Sequence, residues 1–284
     1  MGADQAMRLG LFTIAIACWI GFTAYASAER FPTECSFPKA ASGRLQKVDR
    51  QCGLRGAPGT DAHRAQNAAK NNFCAEGPTV DLTRGHFEQL QSAAEQTGVE
   101  FGARDRLPED RSVLRQLLPV SNGARVGEGS LVRHVGFLTN PRNSNVSNGE
   151  SVNCNFRGAE NNDIHFDLVQ DPDDDACLSV TAEVTPHRRS PHYEKDVLLQ
   201  PRIAERPLRV TGQLFFDASH KPCVNGEPHG APLRISLWEI HPVYSVEVCR
   251  RKAIDSCPSN DDTVWVPIER FSNAPHEEED DDEN

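Results

Sequence analysis

Acidic residues and histidines recur at short spacing in the C-terminal half of this chain: Asp163-Ile164-His165, Glu183, Asp217 with His220, and Glu239-Ile240-His241. Each lies in or beside a segment that reads as β-strand, where residues i and i+2 share a face, so the set is placed to converge on one patch. Two histidines with one or two carboxylates can ligate zinc or another divalent transition metal, and an open position on such an ion activates water. Asp163, His165, His220, Glu239 and His241 are the candidate ligands. Without a metal, His165, Glu239 and His241 are the candidates for general acid and base. The plainer alternative is that carboxylate–histidine pairs tie neighbouring strands together and do no chemistry.

Other catalytic signatures are absent. The chain has no Gly-x-Ser-x-Gly elbow, no phosphate-binding glycine loop and no His-Glu-x-x-His helix, which removes motif support for serine hydrolases, nucleotide hydrolases and zincins. His187-Arg188-Arg189 reads as a small basic turn, solvated or able to hold an anion.

The elements that must position these residues are legible from alternation. Ile164, Phe166 and Leu168 oppose Asp163, His165 and Asp167; Leu178, Val180, Ala182 and Val184 oppose Ser179, Thr181, Glu183 and Thr185. Strands are expected near 130–138, 151–157, 163–170, 178–185, 207–217 and 234–249, with Gly212 at a bulge or bend and Trp238 a core aromatic in step with Ile240. Thr139 to Glu150 reads as a surface hairpin loop and Asp171 to Asp175 as a solvated acidic turn. The fold expected is mainly β: a small antiparallel barrel like the oligonucleotide/oligosaccharide-binding type, with short helical, disulfide-stapled additions at its N-terminal side. Those additions include helices over Asp61–Asn72, capped by Asp61, over Thr83–Thr97, and from Pro108 to Pro119.

Arg8, the apolar run Leu9 to Phe22 and the small residues Ala26 and Ala28 fit a cleaved leader over 1–28, so the chain is expected to be exported, periplasmic or extracellular. A lipid anchor on Cys18 is the weaker variant, and no membrane span is expected after cleavage. Eight of the nine cysteines lie beyond the leader, an even set that suggests disulfides; eight allow 105 connectivities. Cys249 with Cys257 is the first pairing expected and Cys154 with Cys177 the second. Formal charge is −11, but the run Glu277 to Glu283 carries seven of those charges and leaves −4 on the body, which gives no basic footprint for nucleic acid.

The ordered runs Asn162-Asp163-Ile164-His165, Glu183, Val210-Thr211-Gly212 through Phe215-Phe216-Asp217 to His220, and Trp238-Glu239-Ile240-His241-Pro242-Val243 resemble those of a group of exported bacterial proteins that has no established activity. The resemblance covers roughly residues 127 to 250 and implies a shared barrel-like module. The organisation expected is a leader (1–28), a Cys-rich helical cap (29–124), a barrel (125–258) and an extension with an acidic tail (259–284). Its leading function is binding of a ligand or envelope component. A divalent-metal-dependent hydrolase, with phosphodiesters among its fitting substrates, is the alternative.

Overall fold

A computed structural model describes residues 46–273, apart from positions 54, 121, 122 and 188. The expected leader, Cys18 and the acidic run 277–283 lie outside the described residues. In chain order the elements are α1 (Lys47–Gln51), α2 (Asp61–Lys70), β1 (Glu76–Asp81), α3 (Arg84–Gln96), β2 (Leu118–Pro119), β3 (Arg125–Val126), β4 (Ser130–Asn143), β5 (Ile164–Val169), β6 (Val180–Val184), α4 (Lys195–Leu198), α5 (Pro201–Ala204), β7 (Pro207–Phe216), β8 (Trp238–Cys249), β9 (Trp265–Pro267) and α6 (Ile268–Phe271). Helical turns and strands hold roughly equal shares of the described chain, so the fold is less β-dominated than alternation alone suggests.

Five strands close into a barrel. β4 pairs with β5, β5 with β6, β6 with β8, β8 with β7, and β7 returns to β4. β4 is long enough to serve both ends of the circle, pairing with β7 around Leu131↔Gln213 and with β5 around Phe137↔Val169. The barrel is mixed rather than antiparallel, because β6 runs parallel to β8 at Ala182↔Ile240. Parallel neighbours need a crossover, and α4, α5 and β7 supply it here. β1 adds to the edge of β4 and β9 to β8. β1 escaped the sequence reading because Gly77 and Pro78 interrupt it; an edge strand tolerates proline.

The alternation holds. Ile164, Phe166, Leu168, Val180, Ala182, Val184, Leu208, Val210, Leu214, Phe216, Trp238 and Ile240 form one core, and α3 adds Phe87, Leu90 and Ala94. Each fully buried side chain of this kind contributes about 1.5–3 kcal/mol. Gly212 sits at the register shift between β7 and β8, where a Cβ would come within 2.4 Å of the Pro242 carbonyl oxygen. The bulge therefore needs glycine.

Several expectations fail for local reasons. The segment after Pro108 forms one 3-10 turn, Ser112–Leu114; Leu114 is buried but Val113 is exposed, so no continuous apolar face exists. The strand expected at 151–157 is a 3-10 turn, Ser151–Asn153, pinned to the N-terminal cap by the Cys52–Cys154 disulfide. Thr60, not Asp61, caps α2, its hydroxyl accepting the His63 amide at 3.1 Å. The two described residues of the basic turn are not solvated: His187 lies 3.0 Å from Asp49 Oδ1, and Arg189 donates to the Asn162 and Ala159 carbonyls, both side chains being buried.

Cys249–Cys257 is a disulfide as expected. Cys154 pairs with Cys52 and Cys177 with Cys223, instead of with each other. Cys74 is disulfide-bonded as well. The three disulfides between described cysteines already suit an oxidising, extracytoplasmic compartment. Among the described residues no helix is long and apolar enough to cross a membrane.

Candidate functional site

The outward-facing polar residues of β5, β6 and β8 would normally meet water, but α2 lies across them. Gln213 of β7 donates to the Ala69 carbonyl at 2.7 Å and to the His241 carbonyl at 2.8 Å. Lys70, the last residue of α2, accepts from His241 Nδ1 at 2.9 Å through its own carbonyl. Beside this contact opens a cleft of about 420 Å³, walled by α2, the β4–β5 connection (144–163) and the β7–β8 connection (217–237), with His165, Glu183 and Glu239 among its lining.

Register brings the first group together. Arg142 stands opposite His165, and His165 opposite Glu183, while Ala182↔Ile240 sets Glu183 beside His241. His165 Nδ1 lies 3.1 Å from Glu183 Oε1; His241 Nε2 lies 2.9 Å from Glu183 Oε2 and 3.3 Å from Asp163 Oδ2. The Lys70 ammonium completes the group at 3.2 Å from Glu150, 3.5 Å from Glu183 and 3.9 Å from Asp163.

These contacts fix protons. His241 donates through Nδ1 to a carbonyl and turns Nε2 to two carboxylates, so both nitrogens must carry hydrogen. Burial opposes that charge, yet Glu183 and Asp163 outweigh it and the imidazole is pushed up to about 10. Glu183 is held well below the usual carboxylate range, against its burial, by His165, Lys70 and His241. Asp163 is lowered too, burial being outweighed by His241 and Lys70. The Lys70 ammonium is held far into its charged form, its burial overcome by Glu150, Glu183 and Asp163. His165 differs: burial pushes it down despite Glu183. It is therefore a neutral imidazole at pH 7. Its Nδ1 is directed at Glu183 and its Nε2 has no hydrogen-bond partner among the described residues.

The second group is built around Arg234, fully buried. Its guanidinium donates to Asp217 Oδ2 at 2.8 Å and to Glu239 Oε1. Asp217 also contacts His220 Nδ1 and accepts from the Ser219 amide at 3.0 Å. Against burial, His220 and Arg234 hold Asp217 well below its usual range. Glu239 goes the other way, raised well above its usual range by burial and by Glu183 despite Arg234.

Of the residues singled out in the sequence, Asp163, His165, Glu183 and His241 form one cluster, whereas Asp217, His220 and Glu239 belong to the other. Lys70, Glu150 and Arg234 went unseen. Arg234 left a signal, an arginine within the otherwise apolar Pro232-Leu233-Arg234-Ile235; Lys70 left none.

Two donor sets, Glu150–Asp163–His165 and Asp163–Glu183–His241, place one ligand atom per residue within 4.8 Å of one another. Their chemistry suits a divalent ion. However, the Glu183 and Asp163 oxygens that face His241 Nε2 are the ones bordered by the Lys70 ammonium, so an added ion would press against two fixed positive charges. The set fits a lysine–imidazolium pair better than a metal.

No family model, curated protein or solved structure matches this chain. What the fold and site define is a disulfide-stabilised small β-barrel domain with a buried histidine–carboxylate cluster.

Proposed function

We propose that this protein is an exported hydrolase in which the His165–Glu183 couple is the general base. The observation that carries this reading is the neutral His165 in the cleft lining, oriented by a carboxylate through one nitrogen and unpartnered at the other, the arrangement by which a base accepts a proton from water. Glu183 stabilises the imidazolium that forms. Because Lys70 and His241 hold Glu183 as an anion, the accepted proton stays on His165. The centre relies on the lysine–imidazolium pair where the alternative sequence reading has a divalent ion.

The second reading, a binding module for a ligand or envelope component, is favoured by topology. In chain order the barrel strands close as first, second, third, fifth, fourth. This matches the oligonucleotide/oligosaccharide-binding type, which binds ligand on its second and third strands and the loops joining first to second and fourth to fifth. The cleft is lined from those loops and strands, with α2 across it. The runs that resemble those of exported bacterial proteins fall on both charged groups.

The test is a panel of chromogenic carboxyl esters, phosphodiesters and glycosides offered to wild type and to His165→Ala. Turnover of one class is expected, with kcat/KM lowered about 10²–10⁴-fold in the variant. A folded wild type that turns over none of them, or turns one over as well without His165, leaves only the binding module.

A further inference from the structure

Which groups around the cleft are already engaged decides what ligand it can hold. Glu150 is occupied by Lys70 and Asn145, Glu183 by His165, His241 and Lys70, and Asp217 by Ser219, His220 and Arg234. The unengaged groups carry the opposite character. Arg104, exposed at the rim, makes no hydrogen bond or ion pair with described residues. Arg142 spends Nη1 on the Asn140 carbonyl and on Asp167 Oδ2, at 3.0 and 2.7 Å, and leaves a buried Nη2 without a partner. His165 Nε2 is likewise unpartnered. Glu239 Oε2 and Glu183 Oε2 are buried oxygens without a hydrogen bond, but Glu183 Oε2 is ion-paired with His241 and Lys70, and the Glu239 carboxylate is turned to Arg234. A glycoside needs two available carboxylates flanking the bond to be cleaved; this cleft presents guanidinium and imidazole instead.

We propose that the cleft takes a phosphodiester, its two non-bridging oxygens received by Arg104 and Arg142, and that His220 is the acid for the leaving alcohol. This rests on the hydrolase reading above. A diester spreads one negative charge over two oxygens, and guanidinium groups are suited to such oxygens. His220 belongs to a different wall from His165, on the β7–β8 connection, and is held through Nδ1 by Asp217 as His165 is held by Glu183. The two couples thus divide the proton work. Water attacks phosphorus as His165 Nε2 takes its proton; the bond from phosphorus to the leaving oxygen breaks as protonated His220 delivers a proton to that oxygen. One phosphomonoester and one alcohol result. The proton gained by His165 and the one lost by His220 restore through solvent.

The experiment compares two phosphodiesters, one with a p-nitrophenolate leaving group and one with an alkoxide, across wild type, Arg104→Glu, Arg104→Lys and His220→Gln of the whole exported chain. Arg104 has no partner to lose, so its variants fold. Arg104→Glu is expected to raise KM about tenfold, more than it lowers kcat, and Arg104→Lys to recover most of that loss. His220→Gln is expected to slow the alkoxide diester about 100-fold and the p-nitrophenolate diester much less, because a good leaving group needs no acid. Binding of dimethyl phosphate by calorimetry, weakened in Arg104→Glu, gives a readout independent of turnover. Hydrolysis of a carboxyl ester through His165, with no binding or cleavage of either diester, overturns the phosphodiester assignment and leaves the hydrolase standing. Equal slowing of both diesters in His220→Gln overturns its role as acid. No His165-dependent turnover of any ester overturns the hydrolase and this inference together.

Discussion

The two charged groups on the barrel contain similar parts and are neutralised differently. The lysine-centred group balances Asp163, Glu183 and Glu150 with Lys70 and a protonated His241, and it keeps a neutral His165 in reserve. The arginine-centred group answers Asp217 and Glu239 with a guanidinium that does not give up its proton. Where the counter-charge is titratable, protons can be moved; where it is permanent, the group acts as a fixed support. Under the proposed hydrolase reading the first group supplies the base, and the fixed charge of the second holds His220 in place as the acid.

The most severe way to break this contrast is Arg234→Met. Both carboxylates lose their permanent partner inside the protein, and a loss of about 3–5 kcal/mol is expected in chemical denaturation with disulfides intact. A loss under about 1 kcal/mol would show that Glu239 is carried as a neutral acid needing no guanidinium.

Next is pH. His241 has its folded pKa near 10 against 6.5 for the free group, so the folded state binds the extra proton between these values. Its stabilisation is complete below about pH 6.5 and lost as pH rises through 10, on the order of 5 kcal/mol. The loss should be present in wild type and missing in His241→Asn when denaturation midpoints are followed from pH 6 to 11. His134 contributes the opposite slope. Burial pushes it down to about 4, so stability falls as pH drops from 6.5 toward 4, and His134→Asn flattens that limb.

Lys70→Met sharpens the comparison at smaller cost, about 1–3 kcal/mol, because His241 still offsets part of the charge. It should also lower kcat for any substrate that depends on His165, since Glu183 loses one of the groups holding it anionic. Unchanged kcat would detach Lys70 from the chemistry. Smallest of all is Arg64→Ala. Its pair with Asp61 lies on the exposed side of the same helix, with side chains 56% and 78% accessible, and less than about 0.5 kcal/mol is expected by thermal unfolding.

Much of this site could be read from strand parity. Period-two alternation put Asp163, His165 and Glu183 on one face and Ile164, Phe166 and Ala182 on the other, and that part holds because a residue's face in a strand is a local property. What joins the faces is not local. The parallel pairing of β6 with β8 separates Glu239 from His241 in partnership, one to Arg234 and one to Glu183, although they are two residues apart. Lys70 arrives from a helix more than ninety residues upstream of Asp163, in a cap tied to the β4–β5 connection by Cys52–Cys154. No periodicity within either segment records that meeting. The misread helix after Pro108 shows the converse: spaced leucines suggested a face, but tertiary packing engaged only part of it.

The Cys52–Cys154 bond spans 102 residues of chain, and it ties the segment that carries Lys70 to the loop that carries Glu150. It therefore sets an order of maturation. A chain kept reduced has its barrel strands and its histidines but only the hydrogen bonds from Gln213 and His241 to hold the helix over them, so Lys70 is held less firmly against Glu183. Competence would then begin with oxidation. In a reducing compartment the proposed activity would stay dormant.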